Sequence, residues 1–542
     1  MNPVTKNKIW LGLSAFSTLY FAAFLALLFL IRPFWSDTNS FLTWALGIEF
    51  NWVIIVIIMS SALMLFHFSS FSKTMKNRGN EEKTLKLATR ITIPLTLIIW
   101  IGMTTLLLSE LGREQSIILI NFLNNLPEII AGLYLLLVIL LLPRFSFWQN
   151  QKIRKTVLAA TVLLVLIIAS KPGSIKITAG PYLQIPSENS ITVMWTTNHQ
   201  AISWVEYGDD FEYKAYPQHD GLIDMNEKIQ KVELTGLESG KEYPYRVVSK
   251  EIKKFFPYSV LFGKTVVSED FKFRTLNRRA ENISFLVIND LHERHEYWGD
   301  IAEELKTDPV DFVVLNGDYF NDLNGERQLI NSLIKPVSKH FASETPFIFI
   351  RGNHETRGIL ARSLRDYIAL PEDKYYFSFA HGPVAMLAID SGEDKEDHHK
   401  EYSGMVAFDE YRKEETLWLK ETVQRKEWQD ASWRIAFSHI PLNQFALDEE
   451  EGEYKAENLG YQNTWTSILS DGNLDLMLSG HTHRWKIHEP NDEVSFSLII
   501  GGGHIEGTEN FVVVRVDADA ASLKVDLRDQ HGKSFQEFLV EK

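Results

Sequence analysis

The chain of 542 residues contains no cysteine. This absence excludes disulfide bonds and metal sites built on thiolates, although it leaves the redox compartment open, because cysteine-free chains occur on either side of a membrane. The sequence also lacks an excess of basic residues, since its formal net charge is −15. A general nucleic-acid-binding protein needs a basic surface against the phosphates, so this charge argues against nucleic acid as a partner.

Charged residues are scarce before Lys171, where long apolar runs dominate. A transmembrane helix needs about 20 apolar residues, with a range of roughly 17 to 25. Four runs are long enough, and a fifth crosses a membrane if Lys155 snorkels and the helix continues past Ser170. No small-residue cleavage site follows the first run, so we expect a retained helix and not a removed signal peptide. The sequence thus predicts an all-α membrane domain at residues 1–170, with spans at 9–31, 45–66, 91–108, 117–142 and 157–169.

Lysine and arginine are concentrated in alternate loops of this predicted membrane domain. They lie before the first span, between the second and third, and between the fourth and fifth, whereas the other loops offer only Arg32 and Arg113. Cytoplasmic loops carry an excess of these residues. We therefore expect a multi-pass protein of the cell membrane with a cytoplasmic N-terminus. Everything after the fifth span would then be extracytoplasmic, which means periplasmic in a Gram-negative cell.

The fourth run contains Glu128 and three asparagines. An ionisable residue inside a span indicates a functional site by default. In the alternative interpretation, residues 121–128 lie at the membrane interface and the span itself is 129–142. The remaining spans hold few polar partners for a transport pathway, which favours this second interpretation.

Short strands broken by turn residues fill residues 176–275. Such a pattern predicts an antiparallel β-sandwich, which we place at residues 171–277. The run LESGKEYPY from Leu237 resembles the tyrosine corner of a fibronectin type III domain, with Tyr243 as the corner residue. Nothing catalytic is expected in this domain, which we interpret as a spacer that packs against its neighbour. Its predicted strands are SITVMWTT from Ser190, SWVEYG from Ser203, KVELTGL from Lys231 and EYPYRVVS from Glu242.

From Asn282 the pattern changes to strands that alternate with helices predicted at 297–306 and 411–426. This alternation predicts an α/β domain at residues 281–542, whose ligands bind beyond the carboxyl ends of the strands. Each apolar strand runs into a polar cluster, so the clusters should converge in space. The strands with their clusters are ISFLVIND, DFVVLNGDYF, PFIFIRGNHE, VAMLAIDSG, WRIAFSHIPL and LDLMLSGHTH.

Histidine, aspartate and asparagine recur in five of these clusters. Neutral imidazole is the commonest protein metal ligand, so two histidines spaced H-x-H after a strand suggest a metal site. The five clusters are Asp290-Leu291-His292, Gly317-Asp318, Gly352-Asn353-His354-Glu355, His439 and Gly480-His481-Thr482-His483. Together and in this order they resemble the metallophosphoesterases of the calcineurin-like superfamily. The resemblance implies an α/β fold in which a β-sandwich is flanked by helices.

The resemblance also implies a dinuclear metal centre and assigns a role to each residue. Asp318 would bridge the two metals, and His354 would be a catalytic histidine that is not a ligand and acts on the leaving group. Two divalent cations about 3.5 to 4 Å apart can hold both sides of an in-line displacement. Oxygen donors mixed with imidazole suit Mn, Fe, Zn or Co and argue against calcium. The remaining ligands would be Asp290, His292 and His483 on the first metal, and Asn353, His439 and His481 on the second.

The chain further resembles the purple acid phosphatases from Lys176 to its C-terminus. The resemblance lies in GPYLQ from Gly180, the DSG at Asp390, the WLKE around Trp418 and the fibronectin-like domain. The chain departs from that family at Asn321, where the family has a tyrosine ligand, and at His292, which the family lacks. The ligand set therefore resembles the general metallophosphoesterase and class III nucleotide phosphodiesterase type, and iron-tyrosinate chemistry is not expected.

Other polar residues are weaker candidates for contact with phosphate, because exposed side chains of these types are usually solvated. They are His295, His504, Arg357 and Arg362. The segment around His398 and His399 and the acidic stretch 448–453 are interpreted as solvated loops, of which the second could gate the site.

These observations predict a membrane-anchored dinuclear phosphoesterase that hydrolyses a phosphomonoester or phosphodiester outside the cytoplasm. A lipid-linked envelope phosphoester is one candidate substrate. Two alternatives stay open: a nucleotide phosphodiesterase, and a transporter or envelope assembly component that uses the esterase fold as a binding module. The complete set of metal donors disfavours the module, which would not need it.

Overall fold

A computed structural model describes residues 174–256, 258–442 and 459–541. The five predicted membrane spans, Glu128 and the acidic stretch 448–453 lie outside these residues. Within the described ranges, no helix combines the length and the apolar character that crossing a membrane requires.

The N-terminal strands of the described chain pack around Trp195, Tyr245 and Phe273, which are almost fully buried. The strands predicted at Ser190 and Ser203 form one strand, because a bulge between Thr196 and Ala201 shifts the register without ending the pairing with β6. These strands are β1 (Ile177–Gln184), β2 (Ser190–Tyr207), β3 (Tyr213–Ala215), β4 (Gln218–His219), β5 (Leu222–Ile223), β6 (Met225–Thr235), β7 (Glu242–Phe256), β8 (Ser259–Val267) and β9 (Phe271–Arg274).

The hydroxyl of Tyr243 accepts a hydrogen bond from the backbone N–H of Glu238 at 2.8 Å. This is the upstream backbone contact expected of a tyrosine corner. The assignment of these strands to the fibronectin type III family stays a prediction, as do the domain boundaries.

The strands from β10 onward supply the sheets that carry the polar clusters. Most are short and fully buried, as expected of strands covered on both faces. They are β10 (Ile283–Ile288), β11 (Phe312–Asn316), β12 (Phe347–Ile350), β13 (Phe377–His381), β14 (Val384–Ile389), β15 (Trp433–Ser438), β16 (Leu476–Ser479), β17 (Lys486–His488), β18 (Ser497–Ile500), β19 (Val512–Ala518), β20 (Leu523–Asp529) and β21 (Ser534–Val540).

Helices connect these strands. The helix predicted at 297–306 is observed there as α1, whereas the one predicted at 411–426 begins earlier, because the carboxylate of Asp397 accepts hydrogen bonds from the N–H groups of Phe408 and Asp409. The α-helices are α1 (Tyr297–Thr307), α2 (Glu326–Leu329), α3 (Lys335–Val337), α4 (Phe408–Thr422), α5 (Lys426–Gln429) and α6 (Tyr461–Asp471). Two π-helical turns (Ile330–Ile334 and Ser338–Ala342) and four 3₁₀ helices (His354–Thr356, Ile359–Asp366, Pro371–Asp373 and Lys400–Tyr402) complete the described helices.

Two sheets stack face to face between helices. One sheet contains the order β21-β20-β19-β10-β11-β12-β1-β2-β7-β8, and the other has the order β13-β14-β15-β16-β18-β17. Successive residues of β10 point to opposite faces of the sheet. Phe285 points into the core between the two sheets, and Leu286 points into the core under α1. The β-sandwich flanked by helices is therefore the observed architecture of this region.

The first sheet continues from the N-terminal strands into the α/β region, because β1 pairs with β12 through Gln184 and Phe347. Tyr182 supports this junction by donating a hydrogen bond to the carbonyl of Tyr367 at 2.8 Å. Tyr245 likewise donates to the carbonyl of Ser343 at 2.7 Å. The two regions thus share one continuous sheet and buried polar contacts.

Candidate metal centre

The polar clusters meet because their strands run in parallel. Strands β10, β11 and β12 are parallel neighbours in one sheet, and β14, β15 and β16 are parallel neighbours in the other. Asp290, Asp318 and His481 follow β10, β11 and β16 in the left-handed region, with φ of 53°, 55° and 73°. Non-glycine residues adopt this conformation at a cost, and such residues cluster at functional sites.

Two groups of candidate ligand atoms form at this edge, and Asp318 belongs to both. The ligand atoms within each group lie within 4.8 Å of one another. The first group is Asp290, His292, Asp318 and His483, and the second is Asp318, His439 and His481. This grouping parallels the division of ligands that the family resemblance implies, although the role of each residue as a ligand stays a prediction.

Asp318 lies at the middle of the arrangement. Its Oδ2 is 3.0 Å from Nε2 of His439, and its Oδ1 accepts a hydrogen bond from the backbone N–H of His354 at 3.1 Å. The Nδ1 of His439 lies 2.9 Å from the carbonyl oxygen of Asn316, an orientation that directs Nε2 toward the carboxylate. A backbone partner at one ring nitrogen is the usual way in which proteins orient a metal-binding imidazole.

The other candidate ligands surround Asp318. The Nε2 atoms of His292 and His483 lie 2.9 Å apart, and that of His483 is 3.6 Å from Oδ1 of Asp290. On the second side, Nδ1 of His481 lies 3.1 Å from Oδ1 of Asn353. The structure therefore places Asn353 next to His481, with which the family resemblance pairs it.

The electrostatics of the cluster fit divalent cations. Asp290 and Asp318 are almost fully buried, and among the described residues neither forms an ion pair with lysine or arginine. Burial raises the pKa of Asp290 to about 8, and the neighbouring Asp318 carboxylate acts in the same direction. A buried carboxylate is stable when paired or bound to metal. Metal ions bound between these two residues would supply the missing positive charge.

Two of the candidate imidazole ligands, those of His292 and His481, have the neutral form that metal binding needs. Burial lowers the pKa of His292 to about 4 and that of His481 to about 3, so both rings are neutral near pH 7. Burial also acts on His439, but its ion pair with Asp318 outweighs that effect and raises its pKa to about 10. In the described arrangement His439 is therefore the main counter-charge of Asp318, a role that a cation would take over.

Glu355 lies beside the candidate ligands, although the sequence pattern assigns it no role. Its buried carboxylate accepts hydrogen bonds from four backbone N–H groups, those of Asp318 (2.9 Å), Tyr319 (2.8 Å), Phe320 (3.2 Å) and Gly352 (2.8 Å). It thereby ties the loop after β11 to the loop after β12. The acidic residue directly after Asn353-His354 is the signal in the sequence, but only the fold shows what it holds.

His354 belongs to neither group of candidate ligands. Its Nδ1 lies 2.6 Å from the carbonyl oxygen of Asn321, and its Nε2 lies 3.9 Å from Oδ2 of Asp318. The side chain retains 27% of its exposure, so a substrate can reach it. This placement is compatible with action on a leaving group, and that role stays a prediction.

Most of the weaker candidates for contact with phosphate are already bound to other groups of this chain. The guanidinium of Arg357 forms ion pairs with Glu393 at 2.8 Å and Asp394 at 3.0 Å, so the suggested contact with phosphate is not supported. Arg362 donates to the carbonyl of Met405, and Nε2 of His504 lies 3.0 Å from Arg294. His398 and His399 lie next to glutamates of their own loop, and His295 is exposed.

Part of the chain is similar to known proteins. Residues 283–485 match the calcineurin-like phosphoesterase family. A serine/threonine-protein phosphatase, CPPED1 of Pongo abelii, is 23% identical over 175 residues, which are 32% of this chain and 53% of that protein. The chain thus matches about half the length of this curated relative.

Two solved structures resemble the chain at low identity. The purple acid phosphatase PPD1 from seeds of yellow lupin (Lupinus luteus) is 17% identical, with a TM-score of 0.49 over 67% of this chain and 74% of that one. The structure of PhoD is 13% identical, with a TM-score of 0.47 over 68% of this chain and 93% of that one.

The family match confirms the predicted calcineurin-like metallophosphoesterase domain and supports its assignment as a phosphoesterase. Enzymes of this family use a dinuclear centre of divalent metals, and the two groups that share Asp318 supply candidate ligands for one.

Proposed function

We propose that this protein uses two divalent metal ions to hydrolyse a phosphomonoester or phosphodiester. The observation that carries the proposal is the pair of donor groups that meet at Asp318. Asp290, His292 and His483 would hold one metal together with Asp318, and Asn353, His439 and His481 would hold the other. When bound, such metals activate a water molecule and neutralise the charge of the phosphoryl group.

The protein's own residues position the metal ligands and supply a proton to the leaving group. The hydrogen bonds that Glu355 accepts from the N–H groups of Asp318 and Gly352 hold the backbone from which the Asp318 carboxylate extends. His354 faces the same space through Nε2, because its Nδ1 proton is donated to the carbonyl of Asn321. A proton held at Nε2 of His354 can pass to the leaving oxygen, the role of a general acid.

The proposal includes a location and a substrate class. The loop charges of the apolar region support a membrane anchor with the catalytic domain outside the cytoplasm. Few residues separate the predicted fifth span, at 157–169, from β1 at Ile177. An extended chain covers at most about 3.3 to 3.6 Å per residue, so this connection keeps the sandwich near the bilayer. We therefore include an amphiphilic, lipid-linked phosphoester as the preferred substrate.

The catalytic part of the proposal is tested with the full-length protein. Chelation should abolish hydrolysis of a panel of phosphomonoesters and phosphodiesters, and addition of Mn, Zn or Fe should restore it. Failure of every metal with every ester would contradict the proposal and favour the binding-module alternative. A strong preference for nucleotide diesters would favour the nucleotide phosphodiesterase alternative.

The location and the substrate class need separate measurements. Protease added to intact spheroplasts should digest the C-terminal region, and protection of that region would refute the topology. In lipid vesicles, the full-length enzyme should hydrolyse an amphiphilic phosphoester faster than its soluble analogue. Equal rates would leave the topology standing and refute the lipid-linked substrate.

A further inference from the structure

The hairpin formed by β7 and β8 ends in exposed aromatic side chains. Phe255 is 50% exposed, Tyr258 fully exposed and Phe262 37% exposed. Phe255 pairs with Val260 and Lys254 with Leu261, so Phe255 and Phe262 project from an ordered pair of strands, while Tyr258 lies in a turn directly before β8. We call residues 253–256 and 258–264 the hairpin tip. Large exposed apolar groups on a regular element mark an interaction surface.

The hairpin tip is basic, although the chain as a whole is strongly acidic. The chain has a formal net charge of −15, yet no acidic residue occurs between Glu251 and Glu269. The tip contains Lys253, Lys254 and Lys264, and within the described part of the chain none of their ammonium groups forms an ion pair, although the backbone N–H of Lys264 donates to the Glu251 carboxylate at 3.4 Å. This surface therefore combines apolar rings with uncompensated positive charge.

Lysine and aromatic side chains lie side by side at the tip. The Nζ of Lys254 lies 4.8 Å from the ring centre of Phe256, and the Nζ of Lys250 lies 4.4 Å from that of Phe262. Lysines beside rings can keep their ammonium groups in a polar layer while the apolar parts enter a less polar one. A membrane interface offers a polar and a less polar layer side by side, and aromatic side chains concentrate there for this reason.

The chain enters the described unit beside the base of this hairpin. Asn198 binds the entering segment, because its Oδ1 accepts a hydrogen bond from the backbone N–H of Lys176 at 2.7 Å and its Nδ2 donates to the carbonyl of Ser174 at 3.2 Å. The next residue, His199, lies 3.6 Å from Glu251 of β7. A segment that arrives from a membrane would thus reach the fold next to the hairpin.

We propose that the hairpin tip docks on the surface of a membrane that contains anionic lipids. The lysines attract the negative headgroups, and the aromatic rings insert at the level of the headgroups. Hydrolysis of a phosphoester does not need this contact, so the proposal goes beyond the catalytic function. The contact would give the extramembrane part a second point of attachment and would restrict its rotation above the lipid surface.

The absence of cysteine allows a direct test. In the full-length protein, Ser259→Cys places one thiol at the hairpin tip and Ser534→Cys places one at the start of β21; both serines are exposed. Each thiol is labelled with an environment-sensitive fluorophore, and the proteins are incorporated into phosphatidylcholine vesicles with or without phosphatidylglycerol. A lipid that carries a quencher at headgroup depth reports contact. We expect loss of fluorescence at position 259 in anionic vesicles, and none at position 534.

A charge-reversed variant separates specific docking from mere proximity. Lys253→Glu combined with Lys254→Glu should restore the fluorescence at position 259, while an unchanged circular dichroism spectrum reports an intact fold. Absence of quenching at position 259 in anionic vesicles would overturn the proposal. Equal quenching at both positions, or quenching that survives charge reversal, would overturn it as well. None of these outcomes depends on whether the protein hydrolyses phosphoesters.

Discussion

The carboxylate of Glu355 accepts a hydrogen bond from the backbone N–H of Asp318 at 2.9 Å. Its other contacts extend to the next two N–H groups of the same loop and to Gly352. The residue proposed to bridge two metals is therefore held by a carboxylate that does not itself belong to either group of ligands. A metal centre of this kind depends on the orientation of its ligands as much as on their identity.

Substitution of Glu355 by glutamine should weaken the centre. The amide nitrogen of glutamine is a donor, so at least one buried N–H group would lose its acceptor, at a cost of about 1 to 3 kcal/mol in the free energy of unfolding. Loss of a group that supports the ligands commonly reduces metal affinity or activity about 10 to 100-fold. Metal content and kcat of Glu355→Gln, compared with the exposed control Glu303→Gln, test this prediction. A variant with normal metal content and turnover would contradict it.

Substitution of His354 by alanine should separate catalysis from metal binding. The side chain lies outside both groups of candidate ligands, so the variant should keep its metals. General acid catalysis contributes about 100 to 10,000-fold, and the loss should be smaller for esters with good leaving groups. The prediction is tested by measuring the rates of the wild type and of His354→Ala on a series of esters that differ in the pKa of the leaving group. Equal losses for all esters, or loss of metal, would show that His354 has another role.

Protein loaded with iron should stay without an intense visible charge-transfer band. The family resemblance puts Asn321 where purple acid phosphatases have a tyrosine ligand, and the neighbouring Tyr319 donates its hydroxyl proton to the carbonyl of Ile288 at 2.8 Å. The side chain of Tyr319 is buried in the core under α1, so it is not available as a ligand. An absorption spectrum of the iron form tests this, and a purple band would require Tyr319 to leave the core.

The sandwich should lose stability in acid through Glu206. Burial opposes the ionisation of Glu206, but hydrogen bonds from Trp204, Lys214 and Arg246 outweigh it and lower the pKa from its ordinary value of 4.5 to about 2. Because the folded pKa is the lower one, this contribution is complete above pH 4.5 and is lost as the pH falls toward about 2. The free energy of unfolding of the wild type should therefore fall over this window.

The matched variant isolates that contribution. Glu206→Gln cannot titrate, so its free energy of unfolding should fall less between pH 4.5 and about 2 than that of the wild type. The control Glu233→Gln removes an exposed carboxylate from β6 and should follow the wild type. Urea denaturation at several pH values measures the difference. Parallel curves for all three proteins would refute the assigned role of Glu206.

The sequence predicted the polar clusters of the site because each lies directly after an apolar strand. Parallel strands bring their carboxyl ends to the same edge within each sheet, and the stacking of the two sheets then brings Asp290 next to His481, 191 positions later in the chain. The family resemblance supplied the division of ligands into two sets. These features depend on local pattern and on topology, which a sequence carries well.

Other features could not be predicted because they depend on contacts between distant segments. The role of Glu355 requires knowledge that two loops lie side by side. Arg357 is a weak candidate for contact with phosphate in the sequence, and only the fold brings Glu393 next to it. The bulge that joins two predicted strands into β2 reflects pairing with β6, a tertiary effect that overrides local turn signals.

Asp318 provides the most direct test of two metals at one centre. The account predicts that metal-restored wild-type protein contains two metal ions per chain, and that Asp318→Asn loses metal and turnover together, at least about 10 to 100-fold in affinity or activity. Asp492→Asn changes an exposed aspartate outside the site and should behave like the wild type. Metal analysis and hydrolysis rates are measured on the same samples of full-length protein. An Asp318→Asn variant that keeps two metals and near-normal turnover would contradict the central claim.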